Sequence, residues 1–189
     1  KEHILAKIES AEFENEILHR MIEYSRNKNN AVITGATRWR GKNKGSYGGV
    51  VYDFKRAVPR QIDINDADKV KCDTMNCNCV LLPFDFFQKA GAFDSHYTHS
   101  MADYDYGFKL VKMGYDIYLT DFYAGQCDDN SSEGTWRDAR LSRIERIRKK
   151  ESPKGLPFKE WFYYLNKNFG IRVAIWHSLT PYIRIAIGK

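Results

Sequence analysis

The sequence predicts an α/β protein with a helical C-terminal extension. Three observations carry this expectation. Short apolar runs bounded by turn residues, such as Ala31-Val-Ile-Thr-Gly35 and Cys79-Val-Leu-Leu82, read as strands. Between them lie segments whose apolar residues return every three or four positions, as on one face of a helix. Beyond residue 135 the strand signals stop, and basic, aromatic, helix-patterned sequence takes over.

Length and composition suit one domain with a sizeable core: 189 residues, 43% hydrophobic and 29% charged, the mark of a soluble globular chain. No uninterrupted apolar run reaches membrane-spanning length. Cys72, Cys77, Cys79 and Cys127 lack the paired spacing of a zinc site and read badly as a disulfide framework, so free thiols in a reducing cytoplasm are expected. The net charge of +6 is uneven: Arg137–Lys189 holds 13 Lys/Arg against 4 Asp/Glu, whereas the preceding residues hold 17 against 20. A basic tail of this kind meets anionic lipid headgroups, nucleic acid or only water.

The elements follow in order. Ile4, Leu5 and Ile8, then Phe13, Ile17, Leu18, Met21 and Ile22, have helical spacing broken near Ser10. Nothing before Ile4 resembles a cap, so the natural chain is expected to begin earlier and this to be its C-terminal portion. Asn27–Asn30 is a turn and Ala31–Gly35 a buried strand. Trp39–Gly49, with four glycines, basic residues, Trp39 and Tyr47, is a mobile loop or hairpin tip; it lacks the Lys-Ser/Thr ending of a phosphate loop. Val50–Phe54 is a strand, Asp63–Lys71 a polar connection, and Cys72–Leu82 a strand. Pro83 opens a helix over Phe84–Ala90, stopped by Gly91.

Met101, Tyr104, Phe108 and Val111 then mark a helix that Gly114 closes. Tyr115–Tyr123 alternates as a strand, and Ala124–Gly134 is an irregular acidic loop. Thr135–Lys150 reads as a helix with Trp136, Ala139, Ile144 and Ile147 on one side, arginines on the other, and a Glu145–Lys149 pair. Two amphipathic helices, interrupted by Pro157, Gly170 and Pro181, complete the chain; their apolar faces cover the sheet or lie on a membrane surface. The domain boundary is expected between residues 134 and 135.

Chemistry concentrates in the stretch from Ala92 to Tyr115. A loop with His96 and His99 runs into Asp103 and Asp105 at a helix start, where unsatisfied backbone N–H groups and the positive end of the macrodipole favour a carboxylate's charge. That suits a base. Residues two apart on a helix point in nearly opposite directions, so one aspartate faces a substrate while the other braces a loop. The plainer reading makes Asp103 an N-cap and Asp105 a first-turn acid.

The strand with Asn76-Cys-Asn78, the helix from Pro83, Gly91-Ala-Phe-Asp94, Asp103-Tyr-Asp105, Gly114-Tyr115 and the strand Ile117-Tyr-Leu119 resemble the second half of a family 2 glycosyltransferase of the GT-A type. Gly134-Thr-Trp136, Pro153-Lys-Gly-Leu-Pro157 and Pro181-Tyr182 resemble its rhamnosyltransferase-like subgroup. The resemblance implies a partial GT-A, Rossmann-like domain whose mixed sheet is flanked by helices, with residues 1–134 forming its acceptor side and 135–189 its extension. It implies an inverting transfer from a nucleotide-sugar donor to a saccharide or lipid-linked acceptor in cell-surface polysaccharide synthesis, at the cytoplasmic side of the membrane. Asp103 matches the family's catalytic base, and Asp105 is the second catalytic candidate. Ala102 stands where the family has glutamate, and Gly125-Gln-Cys127 where many relatives have a metal-binding histidine. The nucleotide-binding half, whose Asp-x-Asp motif would hold Mg or Mn, is absent, so this chain alone is expected to be inactive.

Acceptor binding draws on aromatic faces and on side chains with donors and acceptors. Trp39, Tyr47, Asn76, Asn78, His96 and His99 are the candidates. Against this, Trp39 and Tyr47 suit loop packing, Asn76 and Asn78 suit turns or strand edges, and His96 with His99 is a weak metal pair. A non-catalytic carbohydrate-binding or membrane-associating module is the rival reading. Nucleic-acid binding through the arginine helix is disfavoured by an acidic loop before it and few interleaved aromatics.

Overall fold

The computed structural model describes residues 3–7, 12–66, 71–128 and 131–188. Within them the strands are β1 (His3–Lys7), β2 (Glu12–Phe13), β3 (Val32–Arg38), β4 (Gly45–Tyr47), β5 (Gly49–Asp53), β6 (Val58–Gln61), β7 (Lys71–Cys72), β8 (Thr74–Met75), β9 (Cys79–Pro83) and β10 (Ile117–Gln126). The helices are α1 (Ile17–Asn27), α2 (Phe84–Ala90), α3 (Ala102–Lys112), α4 (Arg143–Lys150), α5 (Phe158–Phe169) and α6 (Ile171–Ala186). The chain forms two compact units. One comprises Lys1–Asp53, Val58–Phe93 and Tyr106–Asp129; the other comprises Phe54–Ala57, Asp94–Asp105 and Asn130–Lys189.

The first unit is built on a mixed sheet in the order β1-β9-β3-β10-β2, with β4 added to β3 and β7 to β10. β3 and β10 run parallel, and β9 lies antiparallel to β3 on its other side. A smaller sheet has the order β6-β5-β8. Strand alternation explains the layers. Val32, Ala36, Val80 and Leu82 face a core closed by Phe86, Phe87 and Ala90 of α2 and by Tyr106 and Leu110 of α3. Their neighbours Ile33, Cys79 and Leu81 face a second core closed by Ile17 and Met21 of α1. Helices thus cover both faces of this sheet, which is why its strands are near-continuous apolar runs. Leu81, Leu110 and Ile117 are fully buried, each contributing about 1.5–3 kcal/mol by leaving water.

The second unit holds α4, α5 and α6 with the loop that precedes α3 and the first residues of α3. Gly170, at φ 89°, links α5 to α6 through a backbone conformation that favours glycine. Pro181 lies inside α6 and has no N–H for the carbonyl of His177 one turn earlier. The indole N–H of Trp161 on α5 donates to that carbonyl at 3.2 Å, so the freed acceptor is satisfied. Lys150 is fully buried, and its ammonium donates to Glu151 Oε1 at 2.6 Å, the Leu156 carbonyl at 2.8 Å and Tyr182 Oη at 3.0 Å. Three donors meet three acceptors, the condition for a buried ammonium to be tolerated.

Several sequence expectations are corrected. Ile4 and Leu5 belong to a strand, because His3–Lys7 pairs antiparallel with all of β9 and a sheet edge outweighs a short helical spacing. Ile8 and Ser10 lie outside the described residues, as do 67–70 of the polar connection and 129–130 of the acidic loop. The expected strand Cys72–Leu82 is three short strands, with a turn at residues 76–78 before β9. β10 runs on to Gln126 and takes three residues from the expected loop. On α3, Val111 is 37% exposed and the buried side is formed by Tyr106, Phe108 and Leu110.

Thr135–Lys150 is helical only from Arg143. Asp138 accepts the N–H groups of Gly134 at 2.8 Å and Arg140 at 3.0 Å, and such local side-chain bonds compete with a helix. Ser142 then caps α4 in a reciprocal capping box with Glu145, which takes Glu145 away from the expected Lys149 pairing. The faces are also inverted, since Ile144 is 65% exposed whereas Arg146 is buried and donates its Nε–H to the Trp136 carbonyl at 2.8 Å.

Candidate functional site

The site grows from a turn. Asp94 Oδ1 accepts the backbone N–H of His96 at 3.0 Å, and the carbonyl of Asp94 accepts the N–H of Tyr97 at 3.2 Å, the way an aspartate nucleates a loop. Thr98 donates its hydroxyl to Glu160 at 2.7 Å, and Ser100 donates to the Gly155 carbonyl at 3.0 Å. The loop is therefore pinned at both its middle and its end. Met101, at φ 69°, makes the bend that starts α3, and its carbonyl accepts the N–H of Asp105 at 2.9 Å.

Two carboxylates of this unit converge on one ammonium. Lys167 of α5 donates to Asp94 Oδ2 at 2.8 Å and to Asp105 Oδ2 at 2.7 Å. Asn168 donates to the other oxygen of Asp105 at 2.9 Å, and Tyr163 donates its hydroxyl to Asp94 Oδ2 at 2.9 Å. Asp105 is only 3% exposed, so its charge stands on these two side-chain donors. The hydrogen bond from Lys167, with those from His96 and Tyr163, holds the Asp94 carboxyl well below the usual carboxylate range. Burial works against the charge of Lys167, but the bonds to Asp105 and Asp94 outweigh it and lift its pKa to about 12.

Around this centre His96 stacks on the Tyr163 ring at 4.2 Å between centroids, with its Nδ1 2.8 Å from Asp94 Oδ1. Tyr97 is buried, and its hydroxyl has no hydrogen-bond partner among the described residues. Burial first, then the charges of Asp105 and Asp94, push its pKa up, although neither carboxylate meets the geometry of a hydrogen bond with it.

Asp103 sits differently. It is half-buried in the first turn of α3, and its Oδ1 accepts the N–H of Tyr104 at 2.9 Å. His96 and His99 are exposed in the same unit. The other candidates belong to the first unit. Trp39 follows β3, with the Lys42 ammonium 5.5 Å from its ring centre. Tyr47 lies on β4, where its N–H donates to Thr37 Oγ1 at 3.2 Å. Asn76 donates its N–H to the Gly48 carbonyl at 3.1 Å, and Asn78 is half-buried in the turn before β9. Cys127 is buried, with its thiol 3.7 Å from the Asp128 carbonyl oxygen, and among the described residues none of the four cysteines is in a disulfide.

Sequence reading missed Lys167, Asn168, Tyr163 and Tyr97, and it weighed Asp94 only as a word of a motif. For Tyr97 and Asp94 a signal existed, since an aromatic beside an Asp-led turn is suited to burial. Lys167 and Asn168 carry no local signal: α5 is read as amphipathic whether or not its last turn pairs with an aspartate.

The fold and this cluster define a mixed α/β protein with an ion-paired, partly buried acidic centre. No family model matches the chain, and no curated protein matches it.

Proposed function

We propose that the chain is the acceptor-side part of an inverting glycosyltransferase of the GT-A type, family 2, with Asp103 as general base. The observation that carries this reading is the division of labour between the two aspartates at the start of α3. Asp105 is buried and committed to Lys167 and Asn168, whereas Asp103 is half-buried at a helix N-terminus, where a carboxylate's charge is favoured. In the reaction an acceptor hydroxyl attacks the anomeric carbon of a nucleotide sugar, opposite the leaving nucleotide diphosphate. The new C–O bond forms as the old one breaks, and the hydroxyl proton passes to the Asp103 carboxylate. The order of motifs along β9, α2, α3 and β10, in a mixed sheet covered on both faces, supports the same reading.

Mg or Mn would assist the departing diphosphate through ligands outside this chain. Asp94 and Asp105 do not fit a divalent cation, because both are ion-paired to Lys167. Cytoplasmic location and a saccharide or lipid-linked acceptor belong to the same proposal. The rival, a non-catalytic carbohydrate-binding or membrane-associating module, draws on Ala102 in place of a glutamate and on Gly125-Gln-Cys127 in place of a histidine.

The test compares Asp103→Asn with wild type in the complete natural chain, using sugar-nucleotide turnover and thermal denaturation. Transfer should fall about 10²–10⁴-fold while the melting temperature holds, as removal of a general base requires. Turnover retained by the variant would remove Asp103 from the chemistry.

A further inference from the structure

α6 is apolar on two separate sides. Ala174, Ser178, Pro181 and Ile185 fall in one arc and are buried. At about 3.6 residues per turn, Ile171, Ile175, Leu179, Ile183 and Ile187 form a second, slowly winding stripe. These five are 47–60% exposed, and Trp176 beside them is 67% exposed. Exposed apolar residues scattered singly need no account, but a contiguous stripe along a whole helix marks an interaction surface.

Charge selects the partner. Arg172 stands within the stripe and Arg184 at its edge, and α6 has no Asp or Glu. A symmetric pairing of two such helices would bring arginines against arginines with no carboxylate of α6 to neutralise them. The same residues suit a layer of anionic headgroups over hydrocarbon, with tryptophan at the boundary and basic residues reaching the phosphates. Crossing the layer is a different matter: among the described residues no helix is long and apolar enough to span a membrane.

We propose that the outer face of α6 docks in the plane of a bilayer surface bearing anionic phospholipid. The inference goes beyond the catalytic reading and does not depend on it, since it is read out by binding alone.

The test is flotation of the full chain with phosphatidylcholine vesicles, with and without phosphatidylglycerol. The wild-type chain should float with the phosphatidylglycerol vesicles and more weakly with phosphatidylcholine alone. Leu179→Asp removes an apolar contact and adds a repelled charge, so its partitioning should fall about tenfold or more. Arg172→Glu should remove the preference for phosphatidylglycerol. Both positions face outward, so both variants should melt like wild type, which separates lost docking from lost folding. Absence of flotation, or flotation indifferent to both variants, would overturn the proposal. A concentration-dependent dimer in analytical ultracentrifugation, dissolved by Leu179→Asp in a chain that ignores vesicles, would assign the face to a second copy and overturn it equally.

Discussion

Lys167→Met isolates the centre of the ion-paired cluster, because it keeps most of the apolar stem and deletes the ammonium. Two charge-assisted hydrogen bonds disappear, at 2.8 Å to Asp94 and 2.7 Å to Asp105. Breaking a fully buried ion pair costs about 3–5 kcal/mol, mostly through the charge left behind. Here the Lys167 side chain is 34% exposed and that of Asp94 22%, so solvent screens part of the loss. Asp105 is the group that suffers, being 3% exposed and left, among the described residues, with Asn168 as its side-chain donor. We expect a loss of about 2–3 kcal/mol, below the fully buried range for these reasons. At about 2–4 °C per kcal/mol for a chain of this size, the melting temperature should fall by roughly 4–12 °C. Circular dichroism melting at neutral pH reads it. Adding Asp105→Asn to Lys167→Met removes the stranded charge and should restore about 1 kcal/mol or more. A single variant melting within about 2 °C of wild type, or a double variant no more stable than the single, would refute the account of Asp105 as a charge held in place by Lys167.

The same lysine sets an alkaline limit. Its folded-state pKa, raised to about 12, lies above the unfolded value of about 10.4, so its contribution is complete below the latter and lost as pH climbs through the former. Urea midpoints should fall more steeply over that window in wild type than in Lys167→Met; equal slopes would deny the linkage. Tyr163 and Tyr97 lie in the same cluster with raised pKa, burial being the largest cause for each, which makes the difference between the two proteins the informative quantity. Gly155→Ala probes the loop after α4. A Cβ there would collide with the backbone carbonyl oxygens of Lys149 and Lys150, which cannot rotate aside, so a loss of about 1–3 kcal/mol is expected in thermal melts. An unchanged melting temperature would mean that the turn which seats Leu156 against Lys150 is not tightly held.

What could be read from the sequence was local, and what escaped it was tertiary. α2 was legible because Pro83 and Gly91 punctuate it at both ends, and Gly91 does adopt φ 70°. The break at Gly170 was legible for the same reason, the turn near Asn27–Asn30 because asparagine tolerates the left-handed backbone that Asn29 and Asn30 adopt, and α3 from its apolar periodicity. β1 was not, because its few apolar residues fit two periods and only the partner strand β9 decides between them. The stretch 135–142 failed differently: Asp138 and Ser142 are residues that bond their own backbone, and that chemistry was present in the sequence but was outweighed by a counted periodicity. The inverted faces of α4 have a further cause, since Arg146 is buried because one particular carbonyl, that of Trp136, waits for its Nε–H. No residue type announces such a partner in advance.

The aspartate pair shows the same limit at the candidate site. Opposite placement of Asp103 and Asp105 follows from helix geometry alone, and it implies two tasks rather than one. Which task falls to which residue does not follow, because it depends on where α5 places Lys167 and Asn168. Both donors go to Asp105, and Lys167 reaches Asp94 as well, so the loop carrying His96 and the first turn of α3 share one ammonium. Asp105 thus has one oxygen on Lys167 and the other on Asn168, so both are committed within the protein. Its neighbour two residues earlier, Asp103, shares that fixed helix start and accepts the backbone N–H of Tyr104. If Asp103 takes a proton from an acceptor hydroxyl, Lys167 is a positioning residue for it, and Lys167→Met should lower transfer at temperatures where the chain is still folded. A variant destabilised yet fully active below its melting transition would separate the ion-paired cluster from the chemistry and leave it as a fastening between α5 and the start of α3.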